Sequence, residues 1–598
     1  MDYNNRAKKS PFNIEEDIDI LKEKTKGHLE LRKKHNYNII MTERRKRVLS
    51  VNENTKENKN ESFNFKNENK NIILDSDLPN EDLYLFNESN EYKIYLYNES
   101  DIKIQLPPLS NISDNIQMIL EYLSSDDTDK IKCIIYSLRK YFSNNDIEVF
   151  SEYSILFENK IHTHLENIIN KHKDNYYIIN EIFFFVSNLF SNNEIVNKYP
   201  KEYFQYFLSE NFFKIYEDIN ILQEEDLVNS ILILLRNILF EQHELINDVI
   251  YKRREFINNI LIFFKQKQIV SIETINNFIL FFSLLIQELQ GRYIKQVNTF
   301  YLMIDIFFNM FIKINQMEFK NINIIIIKHI LNIFKYFLFC KIKDKDDNDD
   351  YFVINYLFNN SDKNNISFVE YFCEILSKNS NLYFNNISIL ISCLNLLIDI
   401  TFNATSFQIQ NLINYQIFDI LNCIFYYKNN YNNEINRIIL QLLKISDNII
   451  DSGFEYSLIL IKSKFFENMV TFYSQNLGNN IIVDSFLNTF IRLLNYYDKQ
   501  IGDNLYKRGI IKDGVFNSLQ YSNSNTNEII IIKECKVISL YLDSILDVSK
   551  DKNGYNKEDY FLCCKFKEIL LSGQLNIPED AKECIIKSDY MQLADNLY

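Results

Sequence analysis

The side chains of this chain that could carry out chemistry are scattered, and their spacing fits no familiar reaction centre. His162 and His164 have Glu166 and His172 nearby in the sequence. A zinc site needs three or four converging ligands, usually at positions i and i+4 of a helix or in a hairpin. Two residues at i and i+2 of a helix point apart, so we interpret these histidines as surface or packing residues and expect no metal and no cofactor.

Phosphate chemistry and covalent catalysis have no better support. Gly509 and Gly514 have the glycine spacing of a phosphate-binding loop, but Val515 and Phe516 follow where Lys and Ser/Thr would hold phosphate and Mg²⁺. The sequence contains no GxGxxG motif, and its Ser and Cys residues lie in no nucleophile-elbow or Cys/His signature. We therefore expect a protein with no catalytic residues that is not an enzyme.

Two clusters of basic residues near the N-terminus form a more specific pattern. Residues 22–47 hold ten basic and three acidic residues. The first cluster follows Glu30 and Leu31, and the second lies about twelve residues further on. A long basic helix would offer an acidic partner many charge-assisted hydrogen bonds, mostly from arginine. The clustered cations are Arg32, Lys33, Lys34, Arg44, Arg45, Lys46 and Arg47.

Polar side chains also recur at regular intervals along the rest of the chain, near the ends of strongly apolar segments. The recurring residues are Asn188, Asn237, Gln287, Asn332, Asp399, Asn448 and Asn495. Successive gaps between them are 49, 50, 45, 67, 49 and 47 residues. Repeats of about 40 to 47 residues are typical of HEAT and armadillo proteins. Because asparagine is abundant in this chain, helix capping or a solvated polar position is an alternative role for each asparagine.

Long helices must position these residues. The chain has 9 glycines and 6 prolines, with no glycine between Gly27 and Gly291 and a single proline, Pro200, between Leu109 and Asn576. Tight turns need such residues often, whereas long helices do not. Apolar residues recur at helical spacing from residue 115 onward. We predict an all-α fold, a right-handed superhelix of armadillo/HEAT-type repeats with a disordered or helical basic N-terminal segment.

The same patterns divide the chain into four parts. Residues 1–50 form the basic segment, and residues 51–108, rich in Asn, Glu and Lys, are predicted to be a flexible linker. Residues 109–548 form the repeat array, with an acidic loop inserted at about 341–365 where the gap is longest. Residues 549–598 form a C-terminal cap or tail.

Charge and hydropathy restrict the partners. The net charge is −15, and residues 1–50 hold 13 Lys and Arg against 8 Asp and Glu, so the remainder carries about −20. An acidic body repels nucleic acid and attracts basic peptides. We expect no membrane span, because no stretch approaches the ~18 to 20 consecutive apolar residues required. Nine irregularly spaced cysteines are typical of reduced thiols in an intracellular protein.

The segment GHLELRKKHNYNIIMTERRKRVLS, residues 27–50, resembles the importin-β-binding segment of the importin-α family of nuclear import adaptors. The order of parts is also similar, since a linker and the sequence Leu106-Pro107-Pro108 lead into the repeats. The resemblance implies that the basic clusters bind importin-β and that a concave armadillo groove holds basic cargo peptides. It also implies shuttling between cytoplasm and nucleus, as a monomer or a self-inhibited monomer.

The cargo groove implied by this resemblance would consist of Phe184 and the seven recurring polar residues. In the importin-α family, tryptophan stands four residues before each groove asparagine and sandwiches the stems of Lys and Arg. This chain has no tryptophan. Each missing cation–π contact removes roughly 0.5 to 2 kcal/mol, so ordinary basic signals should bind weakly. The residues four before the recurring ones are Phe184, Ile233, Ser283, Lys328, Asn395, Lys444 and Ile491.

An armadillo scaffold without a transport role, for example in cytoskeletal or ciliary assembly, is the alternative. A face of aromatic and amide side chains with acidic rims favours the adaptor. A face lined by Ser283, Lys328 and Lys444 favours the scaffold. An enzyme, or a regulator of one, would instead show a buried titratable cluster in a closed pocket.

Overall fold

The structure is a computed structural model, and it describes most of the chain between residues 95 and 545. The described residues are 95–104, 109, 111–143, 150–191, 196, 198–267, 270–289, 293–294, 297–316, 321–343, 350–359, 366–428, 434–496, 498–515 and 528–545. The chain divides into two compact units, one of residues 1–82 with 140–146 and the other of residues 83–139 with 147–598. The description below concerns the second unit, because little of the first lies among the described residues.

Helices dominate the described residues. They are α1 (Ile112–Leu123), α2 (Thr128–Ser143), α3 (Phe150–Glu158), α4 (Ile161–Lys171), α5 (Tyr176–Leu189), α6 (Lys201–Phe207), α7 (Glu210–Tyr216), α8 (Ile219–Gln223), α9 (Glu225–Glu241), α10 (His243–Lys252), α11 (Arg254–Gln266), α12 (Ile272–Leu289), α13 (Val297–Gln316), α14 (Asn321–Phe337), α15 (Val353–Phe358), α16 (Phe368–Lys378), α17 (Ser380–Phe384), α18 (Ile387–Asn403), α19 (Ser406–Asn414), α20 (Ile417–Tyr427), α21 (Ile435–Asp451), α22 (Phe454–Lys462), α23 (Lys464–Gln475), α24 (Asn480–Leu494), α25 (Lys499–Lys507) and α26 (Glu528–Ile545). Short 3₁₀ and π turns occupy Glu99–Asp101 and Ile510–Val515.

One helix of each repeat belongs to a continuous row, and we call these the row helices. They are α2, α5, α9, α12, α14, α18, α21, α24 and α26, which begin at residues 128, 176, 225, 272, 321, 387, 435, 480 and 528. From α5 onward each packs against the next, and a hydrogen bond of 3.2 Å from Asn188 to the carbonyl of Arg139 joins α5 to α2. The fold is therefore all-helical in class and compatible with a helical repeat solenoid.

Asparagine begins several row helices. Asn175, Asn386 and Asn479 stand before α5, α18 and α24, and each side-chain oxygen accepts a hydrogen bond from a backbone N–H of the first turn. Such a cap satisfies an amide that has no partner within the helix, and its loss costs about 1 kcal/mol. Some of the asparagines in this chain therefore serve to start helices.

The hydrophobic core lies between the row helices and the helices that flank them. Helix α9 is buried at every position from Asp226 to Leu239. Among the flanking helices, α11 packs against α13, α16 against α20, and α20 against α23. Aromatic rings join these layers, for example Phe334 of α14 stacked on Phe368 of α16 at 3.7 Å between ring centroids.

The predicted acidic loop at about 341–365 differs in the structure. Lys341–Lys343 and Asp350–Phe352 form the antiparallel strands β2 and β3, and β2 also pairs in parallel with β1, Tyr293–Ile294. Helix α15 follows β3 directly. The segment does lengthen one spacing in the row, from α14 to α18, but its described residues are strand and helix rather than loop.

Helix α12 also differs from the sequence-based expectation on membranes. Its 18 residues, Ile272–Leu289, are long and apolar enough to cross a membrane by length and composition, and 67% of that stretch is buried inside the protein. It packs between α9 and α14. Because Asn277 is fully buried within it and bonded to α9, its surroundings are those of a core helix.

Candidate peptide-binding face

Several of the row helices have a partly exposed side, and we call these sides together the row face. It carries the half-exposed positions of α5, α12, α14, α18, α21 and α24 that follow one another at helical spacing. The residues predicted for a groove all lie on row helices or at their ends. Residues of this face are Phe184, Asn188, Ser283, Gln287, Lys328, Asn332, Asn395, Asp399, Lys444, Asn448 and Ile491.

Three of the predicted groove asparagines join neighbouring row helices. Asn188 donates to the carbonyl of Arg139, as noted above, and Asn448 donates to the carbonyl of Ile398 at 3.1 Å. Asn237 donates to Oγ of Ser187 at 2.8 Å and is only 4% exposed. The prediction of Asn237 as a groove residue is therefore wrong, because its amide is used within the core.

The other predicted groove residues have mixed surroundings. Phe184, Gln287 and Asn332 are half-buried on α5, α12 and α14. Asp399 forms an ion pair with Lys335 at 3.4 Å, which links α18 to α14. Asn495 is exposed and caps the C-terminus of α24. The structure thus places these residues along one series of helices without bringing them together in one site.

Cations stand at two of the seven positions where the importin-α pattern has tryptophan. Lys328 is half-buried on α14, and burial lowers the pKa of its ammonium group. Lys444 is exposed on α21, and Ser283 is half-exposed on α12. Ile233 is 6% exposed and belongs to the core. The row face from α12 to α21 is therefore polar and carries Lys328 and Lys444 beside the carboxylate of Asp399, and a basic peptide is disfavoured next to those two cations.

Polar pairs between successive row helices tie the face together. Gln441 of α21 donates to Asn395 of α18 at 2.8 Å, and Lys533 of α26 pairs with Asp484 of α24 at 2.5 Å. Asp447 of α21 accepts a hydrogen bond from Thr489 of α24 at 2.7 Å. Such pairs fix the register of neighbouring helices as well as adding stability.

Asp447 should make stability depend on pH. Burial raises the pKa of its carboxyl to about 6, against the opposing effects of Thr489 and Arg492, whereas an unfolded Asp titrates near 3.9. The folded state therefore binds more protons between those values, and stability should fall as pH rises through that window. We expect Asp447→Asn to remove up to about 3 kcal/mol of this fall, measured by denaturant unfolding from pH 4 to 7.

Glu121→Gln, on the exposed side of α1, is the matched control and should keep the wild-type pH profile. An Asp447→Asn protein whose stability changes with pH as the wild type does would contradict the assignment.

An extended segment lies across the first row helices, and we call it the strap, residues Tyr95 to Asn98. Its first residue is held at both main-chain groups. The N–H of Tyr95 donates to Oδ2 of Asp226 on α9 at 2.7 Å, and its carbonyl accepts from the amide of Asn180 on α5 at 3.1 Å. The same Asn180 amide donates to Asp226 at 2.6 Å, so the two side chains hold Tyr95 together.

The main chain of Tyr97 is held in the same way, one helix earlier in the row. Its N–H donates to Oε1 of Glu181 on α5 at 2.6 Å. Its carbonyl accepts from Nη2 of Arg139 on α2 at 3.2 Å, and Arg139 also forms an ion pair with Glu181. The strap therefore runs from α9 towards α2, opposite to the order of the helices in the chain.

Tyrosine side chains add a second set of contacts. The hydroxyl of Tyr95 donates to Glu224 at 2.9 Å, and burial, followed by this carboxylate, raises the pKa of Tyr95 to about 12. The ring of Tyr97 stacks on Tyr177 at 5.5 Å and has the ammonium group of Lys132 at 5.5 Å. Tyr95 is 6% exposed and Tyr97 8%.

The charges beneath the strap are deeply buried. Glu181 and Asn180 are fully buried, and Asp226 is 4% exposed. Burial raises the pKa of the Glu181 carboxyl, while Arg139 acts in the opposite direction. Ser230 completes the cluster by donating to Asn180 at 2.5 Å. A buried charge is tolerated only when it is paired and hydrogen-bonded, and here the strap supplies some of those bonds.

Sequence reasoning missed the strap, because residues 95–98 fell inside the predicted flexible linker of 51–108. That prediction is wrong for the strap, which is fixed by the contacts above. The sequence YKIYLYN at 92–98 carries a signal, since Ile94, Leu96 and the tyrosines at 95 and 97 give an apolar run typical of extended chain. The buried Asn180, Glu181 and Asp226 carry no such signal, because their partners are far away in sequence.

Other predictions fall elsewhere. The basic clusters (Arg32, Lys33 and Lys34, then Arg44 to Arg47), the sequence Leu106-Pro107-Pro108 and the tail of residues 549–598 lie outside the described residues. The ring of His162 stacks on Tyr206 at 3.8 Å, which fits the packing role predicted for it. Within the described part of the chain, no group of three or more His, Cys, Asp or Glu residues is placed to hold a metal ion.

No protein-family model matches this chain, and no curated protein matches it at a significant level.

Proposed function

We propose that this chain is a protein-binding adaptor that holds extended polypeptide segments on its row helices, and that it is not an enzyme. The strap is the observation that carries this proposal, because it is an extended segment whose main chain is bound by side chains of three row helices. A surface that binds one such segment through main-chain groups has the chemistry to bind another.

The specific form that we propose is a divergent importin-α-like import adaptor. In this proposal the row helices belong to a right-handed superhelix of armadillo/HEAT-type repeats, with a concave groove for basic cargo. The basic clusters bind importin-β, and the protein shuttles between cytoplasm and nucleus without nucleic acid, membrane or cofactor. The net charge of about −20 outside residues 1–50 supports basic partners for the repeats.

Binding of purified importin-β to the full chain tests this form. Replacing Arg32, Lys33, Arg44 and Arg45 together by Ala should weaken binding at least about 100-fold. The reason is that hydrogen bonds between charged groups contribute about 1.5 to 3 kcal/mol each, and 1.4 kcal/mol is tenfold in affinity. The affinity is measured by titration calorimetry at 150 mM salt.

A charge-matched control separates specific binding from general electrostatics. Replacing four exposed lysines of the repeats by Ala, namely Lys171, Lys201, Lys214 and Lys252, changes the net charge equally and should leave affinity nearly unchanged. If the variant of the basic clusters and this control bind importin-β with equal affinity, importin-β and the transport role are removed from the proposal.

A scaffold without a transport role is the second candidate. Lys328 and Lys444 favour it, because they stand on the row face at the positions where importin-α has tryptophan. Their charge repels basic cargo on the part of the face formed by α14 and α21. If the basic clusters do not bind importin-β, this scaffold, built on the same helices, is the better description.

A further inference from the structure

We propose that the cradle beneath the strap, formed by Arg139, Asn180, Glu181 and Asp226, is a binding site for an extended partner segment with tyrosines two residues apart. In this chain the strap is its resident occupant. The inference rests on the proposed function only in that the row helices bind extended segments, and it requires neither importin-β nor basic cargo.

The cradle recognises the main chain of its occupant. Both the N–H and the carbonyl of Tyr95 are bound, and both the N–H and the carbonyl of Tyr97 are bound. Alternate residues of an extended chain direct these groups to the same side, so the cradle fits extended backbone of many sequences. Two acceptors and two donors stand on α2, α5 and α9, and their own contacts hold them in place.

Side-chain contacts select tyrosine at the first bound position and an aromatic ring, here that of tyrosine, at the second. Glu224 accepts the hydroxyl of Tyr95, and Tyr176 and Tyr177 place their ring centroids 5.6 and 5.3 Å from that of Tyr95. The second position combines the stacking partner Tyr177 with the ammonium group of Lys132. A partner segment therefore needs an aromatic hydroxyl at the first position and an aromatic ring two residues later.

The strap competes with a partner because it makes the contacts described above and is joined covalently to the rest of the chain. A short linker gives such a joined segment an effective concentration near the millimolar range. A free peptide that makes the same contacts must overcome that concentration. The intact chain should therefore bind such a peptide weakly, and a chain with a weakened strap should bind it well.

The test uses the full chain with Tyr95→Ala and Tyr97→Ala. The probe is a fluorescently labelled peptide of residues 91–101, EYKIYLYNESD, and the control peptide carries Ala at both tyrosines. We expect the variant to bind the probe at least about tenfold more tightly than the wild-type chain does, a difference of 1.4 kcal/mol. The control peptide should bind neither chain tightly. Adding Asn180→Ala to the variant should weaken its binding of the probe again.

A second form of the protein tests the proposal without the tyrosine substitutions, in case these prevent the variant from folding. A protease recognition sequence replaces residues 105–108, and cleavage after purification leaves the native strap in place without its tether to α1. Excess unlabelled peptide should then displace the strap, as followed by size-exclusion chromatography and mass spectrometry. A cleaved chain that keeps its strap against a 100-fold excess would overturn the proposal.

A variant that keeps its helicity by circular dichroism but binds no probe would overturn the proposal and make the cradle a purely structural contact. A dimer formed on mixing variant and wild type, with the wild-type strap seated in the variant, would support it and make a second copy of this chain the partner. Neither assay contains importin-β, so their failure is distinct from failure of the transport role.

Discussion

Replacing Arg139 by Ala should lower the stability of the first repeats by about 3 to 5 kcal/mol, because breaking a buried ion pair leaves an uncompensated charge. Arg139 pairs with the fully buried Glu181 and also binds the carbonyl of Tyr97. Repeat proteins need not unfold in one step. The measurement is therefore hydrogen exchange of the α5 amides, which reports opening of this region.

Two further variants define the cause. Lys201→Ala removes an ion pair with Glu244 in which both side chains are exposed, and should be nearly neutral. Adding Glu181→Gln to Arg139→Ala should restore part of the loss, because the remaining buried group is then neutral. No recovery in the double variant would show that the lost packing of Arg139, and not the charge of Glu181, dominates.

Replacing Asn277 by Ala should cost about 2 to 4 kcal/mol at the junction of α9 and α12. Its amide donates to Asn229 at 2.7 Å, and its oxygen accepts from Nη1 of Arg236 at 2.8 Å. Asn277 is fully buried, and its two partners are 1% and 4% exposed. The hydrogen bond to the charged Arg236 contributes about 1.5 to 3 kcal/mol, and the neutral bond to Asn229 about 0.5 to 1.5.

Asn504→Ala is the control for this change. The Asn504 amide is exposed and donates to the backbone of its own helix, so its loss should be nearly neutral. Guanidinium unfolding followed by hydrogen exchange of α9 and α12 compares the two. Equal protection in both variants would mean that water replaces the Asn277 contacts and that the junction is held by apolar packing.

The helical class and the spacing of the row were accessible from sequence, since both depend on local patterns. Scarce glycine and proline and apolar residues at helical spacing predict helices, and the lengthened spacing was located correctly between Asn332 and Asp399. The short strands β1 to β3 were not predictable, because their pairing joins residues such as Tyr293 and Lys341 across an intervening helical pair.

The candidate site was much less accessible. The recurring polar residues do lie on row helices or at their ends. Periodicity, however, does not distinguish an amide that faces a ligand from one that bonds to the preceding row helix. Asn188, Asn237 and Asn448 bond to the helix before them. Asn180 and Asp226 of the cradle bind the main chain of Tyr95, which lies more than 80 residues earlier in the sequence. No local pattern encodes such a contact.

The direction of the strap has a consequence for how the protein is made. Tyr95 precedes its partner Asp226 by 131 residues, so the strap leaves the ribosome well before α9 exists. At a synthesis rate of about 5 to 20 residues per second, the delay is roughly 7 to 26 seconds. Helices α2 and α5 emerge within that interval with Glu181 and Asn180 still hydrated. The strap can therefore reach its final position only after α9, the third row helix, has been synthesised. Newly synthesised chains pass through a stage in which the cradle is unoccupied.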